Sequence, residues 1–286
     1  LQPGEGFIDV TGGKAWYRVI GSGTATPLLL LHGGPGYMSD CFEPLSALAD
    51  ERPVVFYDQL GGGKSDWPDD VSLWNIGRFV EELGQVRTAL GLKRVHLPGH
   101  SWGTMLAVDY MLTNPIGVVS LTLASPALSI PRWSEDADRL RAALPEDVRQ
   151  TLTEHEKAGT TNSEEYRKAA MVYFQRHLCR TEEVRPKLKT LKSNKQVYRT
   201  MWGPIEFHVT GNLADYNRTG RLREISVPTM FTAGRYDEAT PEATAWYQSL
   251  VPGASLKIFD ESAHMAFLEE PERYVQVIRG FLKRTE

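Results

Sequence analysis

Six short runs of almost wholly apolar residues recur along the chain, and they constrain the fold more than any other feature. They cover residues 27–31, 54–57, 95–97, 121–124, 229–232 and 256–259. Strands that are buried on both faces, as in a parallel sheet, have this composition. Residues 76–90, which lie between two of the runs, carry apolar side chains at helical spacing. Because strand and helix alternate, the sequence predicts an α/β protein with a mostly parallel central sheet.

The alternation is interrupted once and is preceded by a hairpin. Residues 7–10 and 15–19 alternate in polarity around Thr-Gly-Gly-Lys at 11–14, which predicts a β-hairpin. From about residue 127 to 220, charged and helix-like segments replace the apolar runs. We interpret this stretch as a helical lid, or cap, over the carboxyl edge of the sheet. The predicted division is a first core part at 1–126, the cap at 127–220 and a second core part with the last two strands at 221–286.

Composition excludes several classes of protein. Hydrophobic residues make up 41% of the 286 residues and charged residues 24%, which argues against a disordered chain. The formal charge of −4 argues against nucleic acid or an anionic membrane surface as partner. No apolar run approaches the roughly 18 residues that a membrane span needs. Two cysteines, Cys41 and Cys179, indicate neither a disulfide framework nor a zinc cluster, so we expect a cytoplasmic protein without a metal or cofactor. The sequence leaves the oligomeric state open.

A candidate nucleophile stands in the middle of the first core part. Residues 99–103 read Gly-His-Ser-Trp-Gly, which matches the Gly-x-Ser-x-Gly pattern of a nucleophile elbow. The motif follows the apolar run 95–97 and precedes the helix-compatible residues 104–112, which is the context that the elbow requires. A glycine-rich turn with an incidental serine is the alternative, and the flanking strand and helix disfavour it. The pattern therefore predicts Ser101 as a nucleophile.

A serine nucleophile needs an imidazole base, and the base needs a carboxylate to orient it. In folds with this elbow the partners follow in the order Ser, Asp, His. Of the seven histidines, only His264 lies beyond the last apolar run. Asp237 follows the next-to-last run, whereas its rivals Asp260 and Asp215 lie at the end of the last run and in the insertion. We therefore predict a triad of Ser101, Asp237 and His264.

Acyl transfer also requires two donors for the oxyanion that forms on the substrate carbonyl. Residues 32–36 read His-Gly-Gly-Pro-Gly directly after the first apolar run, and this turn is too rich in glycine to be explained by chain reversal alone. The backbone N–H of Gly34 is the first choice for one donor, with Gly33 as the alternative. The backbone N–H of Trp102, which follows the nucleophile, is the other.

Four motifs together resemble the prolyl aminopeptidase, or proline iminopeptidase, family of α/β-hydrolases. They are residues 32–36, Tyr-Asp-Gln-Leu-Gly at 57–61, residues 99–103, and Gly-Arg-Tyr-Asp-Glu at 234–238. Gly-Pro-Ile-Glu-Phe at 203–207 and Thr-Gly-Asn at 210–212 are also similar to the family's lid segment, including that of its tricorn-interacting branch. The chain departs from the family at Leu60 and at residues 62–64, where Arg or Phe and then Ser or Cys, Gly, Arg are usual.

The resemblance implies the α/β-hydrolase fold and a role for Glu206 and Glu238 in holding the free α-amino or imino group of the substrate. Such an ammonium needs carboxylate partners in a closed site. We also predict that Gly33 contacts the substrate. Lid aromatic residues either line a pocket for proline or pack between helices; they are Trp133, Tyr166, Tyr173, Phe174, Tyr198, Trp202 and Phe207.

The function that follows is hydrolysis by an acyl-enzyme, which releases an N-terminal residue, with proline favoured, from small peptides or amino-acid amides. A dedicated amino-acid amide hydrolase is the first alternative. An esterase or lactonase, or a ligand receptor that has kept the triad without turnover, comes next.

Overall fold

A computed structural model describes the backbone of residues 1–286 and all side chains except those of Lys187 and Lys189. Its described backbone contains one eight-stranded sheet with the order β1-β2-β4-β3-β5-β6-β7-β8. The strands are β1 (Gly4–Val10), β2 (Gly13–Ile20), β3 (Leu28–Leu30), β4 (Val54–Tyr57), β5 (Val95–His100), β6 (Val118–Ala124), β7 (Thr229–Gly234) and β8 (Ser255–Phe259). Strands β1 and β2 form the predicted antiparallel hairpin, β2 pairs antiparallel with β4, and the remaining pairs are parallel. The predicted α/β class and the mostly parallel sheet are thus confirmed.

The apolar runs form strands because both faces of the sheet are covered. In β3, Leu29 belongs to the hydrophobic cluster on one face, while Leu28 and Leu30 belong to the cluster on the other. Successive strand residues point to opposite faces, so a run without polar interruption is what a doubly covered strand requires. Every residue of β3 and β4 is accordingly buried.

Helices outside the insertion cover these two faces. They are α1 (Ile76–Ala89), α2 (Trp102–Met111), α8 (Pro241–Ser249), α9 (Ala266–Glu269) and α10 (Pro271–Arg284), with 3₁₀ helices at Ser39–Asp50 and Val71–Leu73. The predicted helix at 76–90 is α1. It begins at Ile76 because the Asn75 side chain accepts a hydrogen bond from the backbone N–H of Arg78.

The insertion lies between β6 and β7 and is helical, as the sequence predicts. It contains α3 (Ile130–Ala142), α4 (Glu146–Ala158), α5 (Glu164–His177), α6 (Arg185–Thr190), α7 (Lys195–Met201) and a 3₁₀ helix at Thr219–Glu224. Helix α3 begins at Ile130 because Ser129 caps it and Pro131 fits its first turn. The boundaries of the cap at 127 and 220 stay a prediction.

No helix in the described part of the chain is long and apolar enough to cross a lipid bilayer.

Candidate active site

Ser101 lies in the sharp turn between β5 and α2. Its backbone has φ 53° and ψ −119°, a conformation that is strained for any residue with a side chain. A Cβ atom on Gly99 would collide with the carbonyl of Gly103, and one on Gly103 would collide with the carbonyl of Leu31. Both glycines of the motif are therefore required for the chain to turn this tightly. The turn is anchored by the backbone N–H of Ser101, which donates to the carbonyl of Ala124 at 3.0 Å.

The sheet topology brings Asp237 and His264 together. Asp237 follows β7 and His264 follows β8, and these are neighbouring parallel strands. The imidazole Nδ1 lies 2.7 Å from Asp237 Oδ1, and both residues are buried. A carboxylate can only accept, so Nδ1 carries the proton and Nε2 is left free to act as a base.

The two rival aspartates lie elsewhere. Asp260 is half exposed and pairs with Arg235 at 2.6 Å and with Arg273 at 3.2 Å. Asp215 is exposed in the insertion. Neither forms a described contact with His264, so the geometry favours Asp237 as the orienting acid.

Three carboxylates determine the proton affinity of His264. Burial lowers the pKa of this imidazole, but Asp237 first, and then Glu238 and Glu206, raise it to about 9. The charged imidazole is the form that exists after it has taken a proton from the serine. The surroundings of His264 thus favour the state that a general base reaches in the transition state.

The glycine-rich turn after β3 is fixed by His32 and Gln59. The backbone N–H of Gln59 donates to His32 Nε2 at 3.0 Å. His32 Nδ1 therefore carries the proton and donates to the carbonyl of Gly33 at 2.8 Å. In a trans peptide the next N–H points away from that carbonyl, so this bond fixes the direction of the Gly34 N–H.

Gln59 also contacts the segment that carries the second predicted oxyanion donor. Its amide oxygen accepts from the indole Nε1 of Trp102 at 2.7 Å, and its amide nitrogen donates to the carbonyl of His32 at 3.1 Å. All three residues are fully buried. The two candidate donors, the backbone N–H groups of Gly34 and Trp102, therefore belong to one hydrogen-bonded unit.

A cavity of about 440 Å³ opens above these residues. Its floor includes Ser101, His264, Gly33 and Gly34, and the insertion contributes most of its other walls. Of the lid aromatic residues, three line the cavity, namely Tyr166, Phe174 and Tyr198. Residues 60–64, where the sequence departs from the resembled family, contribute nothing to this lining. The volume is in the range of small-molecule sites.

Glu206 reaches the cavity from the insertion. Its backbone carbonyl accepts two hydrogen bonds, from the indole Nε1 of Trp133 at 2.9 Å and from that of Trp202 at 3.1 Å. Two buried tryptophans thus hold this residue in place, whereas its carboxylate is accessible from the cavity. Burial raises the pKa of Glu206, against the opposing effect of the nearby His264 and Tyr198.

Glu238 is more deeply buried, with 2% of its surface exposed. Among the described residues, neither of its carboxylate oxygens has a hydrogen-bond partner within normal geometry, although the Tyr173 hydroxyl is close enough to favour the ionised form. Burial first, and then repulsion from Glu206, raise the pKa of Glu238 well above its ordinary value. A buried carboxylate without donors is costly. This pair of acids is therefore suited to a cationic ligand with N–H donors.

Two residues that contact the triad, Ser125 and His100, were not anticipated from the sequence. Ser125 Oγ lies 2.6 Å from Asp237 Oδ2 and 3.1 Å from the carbonyl of His264. His100 Nε2 lies 2.9 Å from the same carbonyl. Ser125 directly follows β6, and the rule that selected Asp237, a polar residue just beyond the carboxyl end of a strand, could have found it.

Comparison with known proteins identifies the fold family of the chain. The profile of the α/β-hydrolase fold family matches residues 26–271. The proline iminopeptidase of Heyndrickxia coagulans is 49% identical, over 97% of this chain and 98% of the relative. That of Lactobacillus crispatus is 36% identical over 97% of each chain.

Solved structures give the same result. The crystal structure of VinJ superposes with a TM-score of 0.93 at 36% identity and covers both chains completely. The proline iminopeptidase of Mycobacterium smegmatis gives 0.88 at 34% identity, over 99% of this chain and 98% of that one. With this agreement along nearly its whole length, the chain belongs to the α/β-hydrolase fold family and, within it, to the proline iminopeptidases.

Proposed function

We propose that this protein is a serine aminopeptidase that releases an N-terminal residue, with proline favoured, from small peptides or amino-acid amides. The observation that carries the proposal is the unpartnered Glu238 carboxylate, buried next to Glu206 and the Asp237–His264 pair. An incoming ammonium would supply the donors that Glu238 lacks. A site that only hydrolysed neutral esters would have no use for two buried acids.

The proposed reaction uses residues that the fold brings to one edge of the sheet. The Ser101 hydroxyl attacks the carbonyl carbon of the first residue and transfers its proton to His264 Nε2, while Asp237 stabilises the resulting imidazolium. The backbone N–H groups of Gly34 and Trp102 donate to the oxyanion. His264 then protonates the leaving amine as the C–N bond breaks, which leaves an acyl-enzyme. Water hydrolyses this ester by the same two proton transfers.

The chemistry of N-terminal proline suits the two acids. Its secondary ammonium has two N–H donors, and Glu206 and Glu238 offer two carboxylates as acceptors. The apolar ring can lie against the aromatic side chains of Tyr166 and Phe174 that line the cavity. The triad supplies both nucleophile and base, so the proposed mechanism requires no metal or cofactor, and we retain the cytoplasm as its proposed location.

Replacement of the acids tests whether a free amino group is recognised. Glu238→Gln and Glu206→Gln keep the shape of the side chain and remove its charge. A lost charge-assisted contact of about 1.5–3 kcal/mol corresponds to a fall of roughly ten- to a hundredfold in kcat/KM on prolyl arylamide. Glu242→Gln, which removes an exposed carboxylate on α8, is the matched control and should leave kcat/KM unchanged.

N-acetylated prolyl arylamide completes the experiment. The wild type should hydrolyse it poorly, and neither variant at Glu206 or Glu238 should change that rate, since acetylation removes the charge that these acids bind. Equal hydrolysis of free and acetylated substrates would replace the aminopeptidase with an esterase of broad acyl specificity. Absence of turnover on every substrate would favour the receptor. Faster hydrolysis of prolinamide than of prolyl peptides would favour the amide hydrolase.

A further inference from the structure

Three cationic side chains lie at the open side of the active-site cavity. Arg167 on α5 and Lys195 and Arg199 on α7 line the cavity and are exposed to solvent. Lys195 and Arg199 are four residues apart and therefore share one face of α7. Ser101 and His264 line the same cavity but are buried. The three cations, which we call the mouth cations, thus mark the entrance, and the triad marks the floor.

The mouth cations lack carboxylate partners. Within the part of the chain whose side chains are described, none of them forms an ion pair, and Arg167 donates only to the carbonyl of Ser163 at 3.2 Å. Some other cations of the lid are paired with carboxylates. The side chains of Arg132, Arg141 and Lys168 each lie 2.8 or 2.9 Å from a carboxylate of the lid. The chain as a whole has a formal charge of −4, so this positive excess is local.

Charge therefore reverses sign along the cavity. Glu206 lines the cavity, Glu238 is buried next to Glu206 without lining the cavity itself, and the exposed part of the lining holds Arg167, Lys195 and Arg199. A short peptide with free ends has the opposite arrangement, because its ammonium and its carboxylate stand at the two ends of the chain. When the ammonium is held by the inner acids, the peptide beyond the scissile bond extends towards the mouth. A carboxylate is the group that arginine and lysine bind there, arginine in a bidentate manner.

We propose that the mouth cations bind the C-terminal carboxylate of the substrate, so that the enzyme prefers dipeptides and tripeptides with a free C-terminus over their amides and over longer chains. The inference rests on the proposed function and identifies its substrate class. The cavity, at about 440 Å³, has a volume suited to a ligand of this size. Both ends of the peptide then contribute to its orientation over Ser101.

The test compares each peptide acid with its own amide. kcat/KM is measured for Pro-Gly and Pro-Gly-Gly and for the C-terminal amides of both, at low and at high salt. Exposed ion pairs are weak, so we expect kcat/KM of the wild type to be about two- to fivefold higher on the peptide acid that fits better than on its amide. The preference should decrease as salt screens the charges. Because kcat/KM on the acid is divided by kcat/KM on the amide for the same enzyme, any general loss of activity cancels.

The variant Arg167→Gln/Lys195→Gln/Arg199→Gln removes the three charges together. Its ratio of kcat/KM on the acid to kcat/KM on the amide should fall to about one, because no charge is left at the mouth to attract the carboxylate. Lys157→Gln, which neutralises an exposed lysine on α4 outside the cavity, is the matched control and should keep the wild-type ratio.

Failure of the carboxylate site can be distinguished from failure of the proposed function. If the wild type hydrolyses acids and amides equally, or if the triple variant keeps the wild-type ratio, the carboxylate site is refuted while the aminopeptidase stands. If no prolyl substrate is hydrolysed at all, the proposed function fails, and the carboxylate site fails with it.

Discussion

Ser125 offers the most direct test of how the triad acid is held. Its hydroxyl lies 2.6 Å from Asp237 Oδ2, while Asp237 Oδ1 accepts from His264 Nδ1 at 2.7 Å and from the backbone N–H of Ala239 at 2.8 Å. Ser125→Ala removes one donor from a buried carboxylate and leaves three, because the backbone N–H of Gly234 also donates to Oδ2 at 3.4 Å. A hydrogen bond to a charged group contributes about 1.5–3 kcal/mol.

Only part of that free energy affects turnover, because the bond exists in the ground state as well as in the transition state. We therefore expect kcat on prolyl arylamide to fall about 3- to 30-fold, far less than the roughly 10⁴-fold that follows removal of a triad member. Ser125 has φ 50°, which alanine tolerates no better than serine. Ser125→Gly removes the hydroxyl without this strain. It should lose as much kcat as Ser125→Ala and have a higher Tm than that variant.

Ser120→Ala is the matched control. Ser120 is a buried serine within β6, and its hydroxyl bonds to His96 Nδ1 at 2.7 Å, away from the cavity lining. The control should lose stability and keep kcat. If Ser125→Ala kept wild-type kcat while its Tm fell as in the control, the hydroxyl would contribute to stability alone and would have no role in holding the triad acid for turnover.

Two further predictions concern the base and its acid. The pKa of His264 is about 9 and the base must be neutral, so kcat/KM should rise with pH up to about 9. Glu206 and Glu238 raise that pKa, and a bound substrate ammonium neutralises their charge. The acid limb of the kcat profile should therefore lie at lower pH than that of the kcat/KM profile. Coincident limbs in the two pH profiles would contradict this. Asp237→Asn should lower kcat by about 10⁴-fold, whereas Asp260→Asn should leave it unchanged, and steady-state kinetics showing the reverse would exchange their roles.

The sheet could be predicted from the sequence because its signal is local. An unbroken apolar run such as 54–57 fits a doubly covered strand, and it appears as β4 with those bounds. The candidate triad could be predicted from the sequence for a related reason. In a parallel sheet the residues that follow the strands meet at one edge, so the order along the chain was enough to select Asp237 and His264.

Other features depend on contacts between distant segments. Helix α7 has seven residues, too few for its periodicity to stand out in the sequence, and it is held by its Asn194 cap and by the burial of Val197 and Met201. Glu206 is held by the indoles of Trp133 and Trp202, and the sequence around Glu206 does not predict these two hydrogen bonds. For this glutamate the family resemblance supplied what spacing could not.

The link between His32, Gln59 and Trp102 has a consequence for folding. These residues follow β3, β4 and β5, and the sheet order places β3 between the other two. The direction of the Gly34 N–H is thus set only when all three strands are aligned and their ends are packed. A compact intermediate that kept its helices but had lost this alignment would lack the oxyanion site. Recovery of hydrolysis during refolding therefore reports the native packing of the middle of the sheet, which a measure of helix content does not.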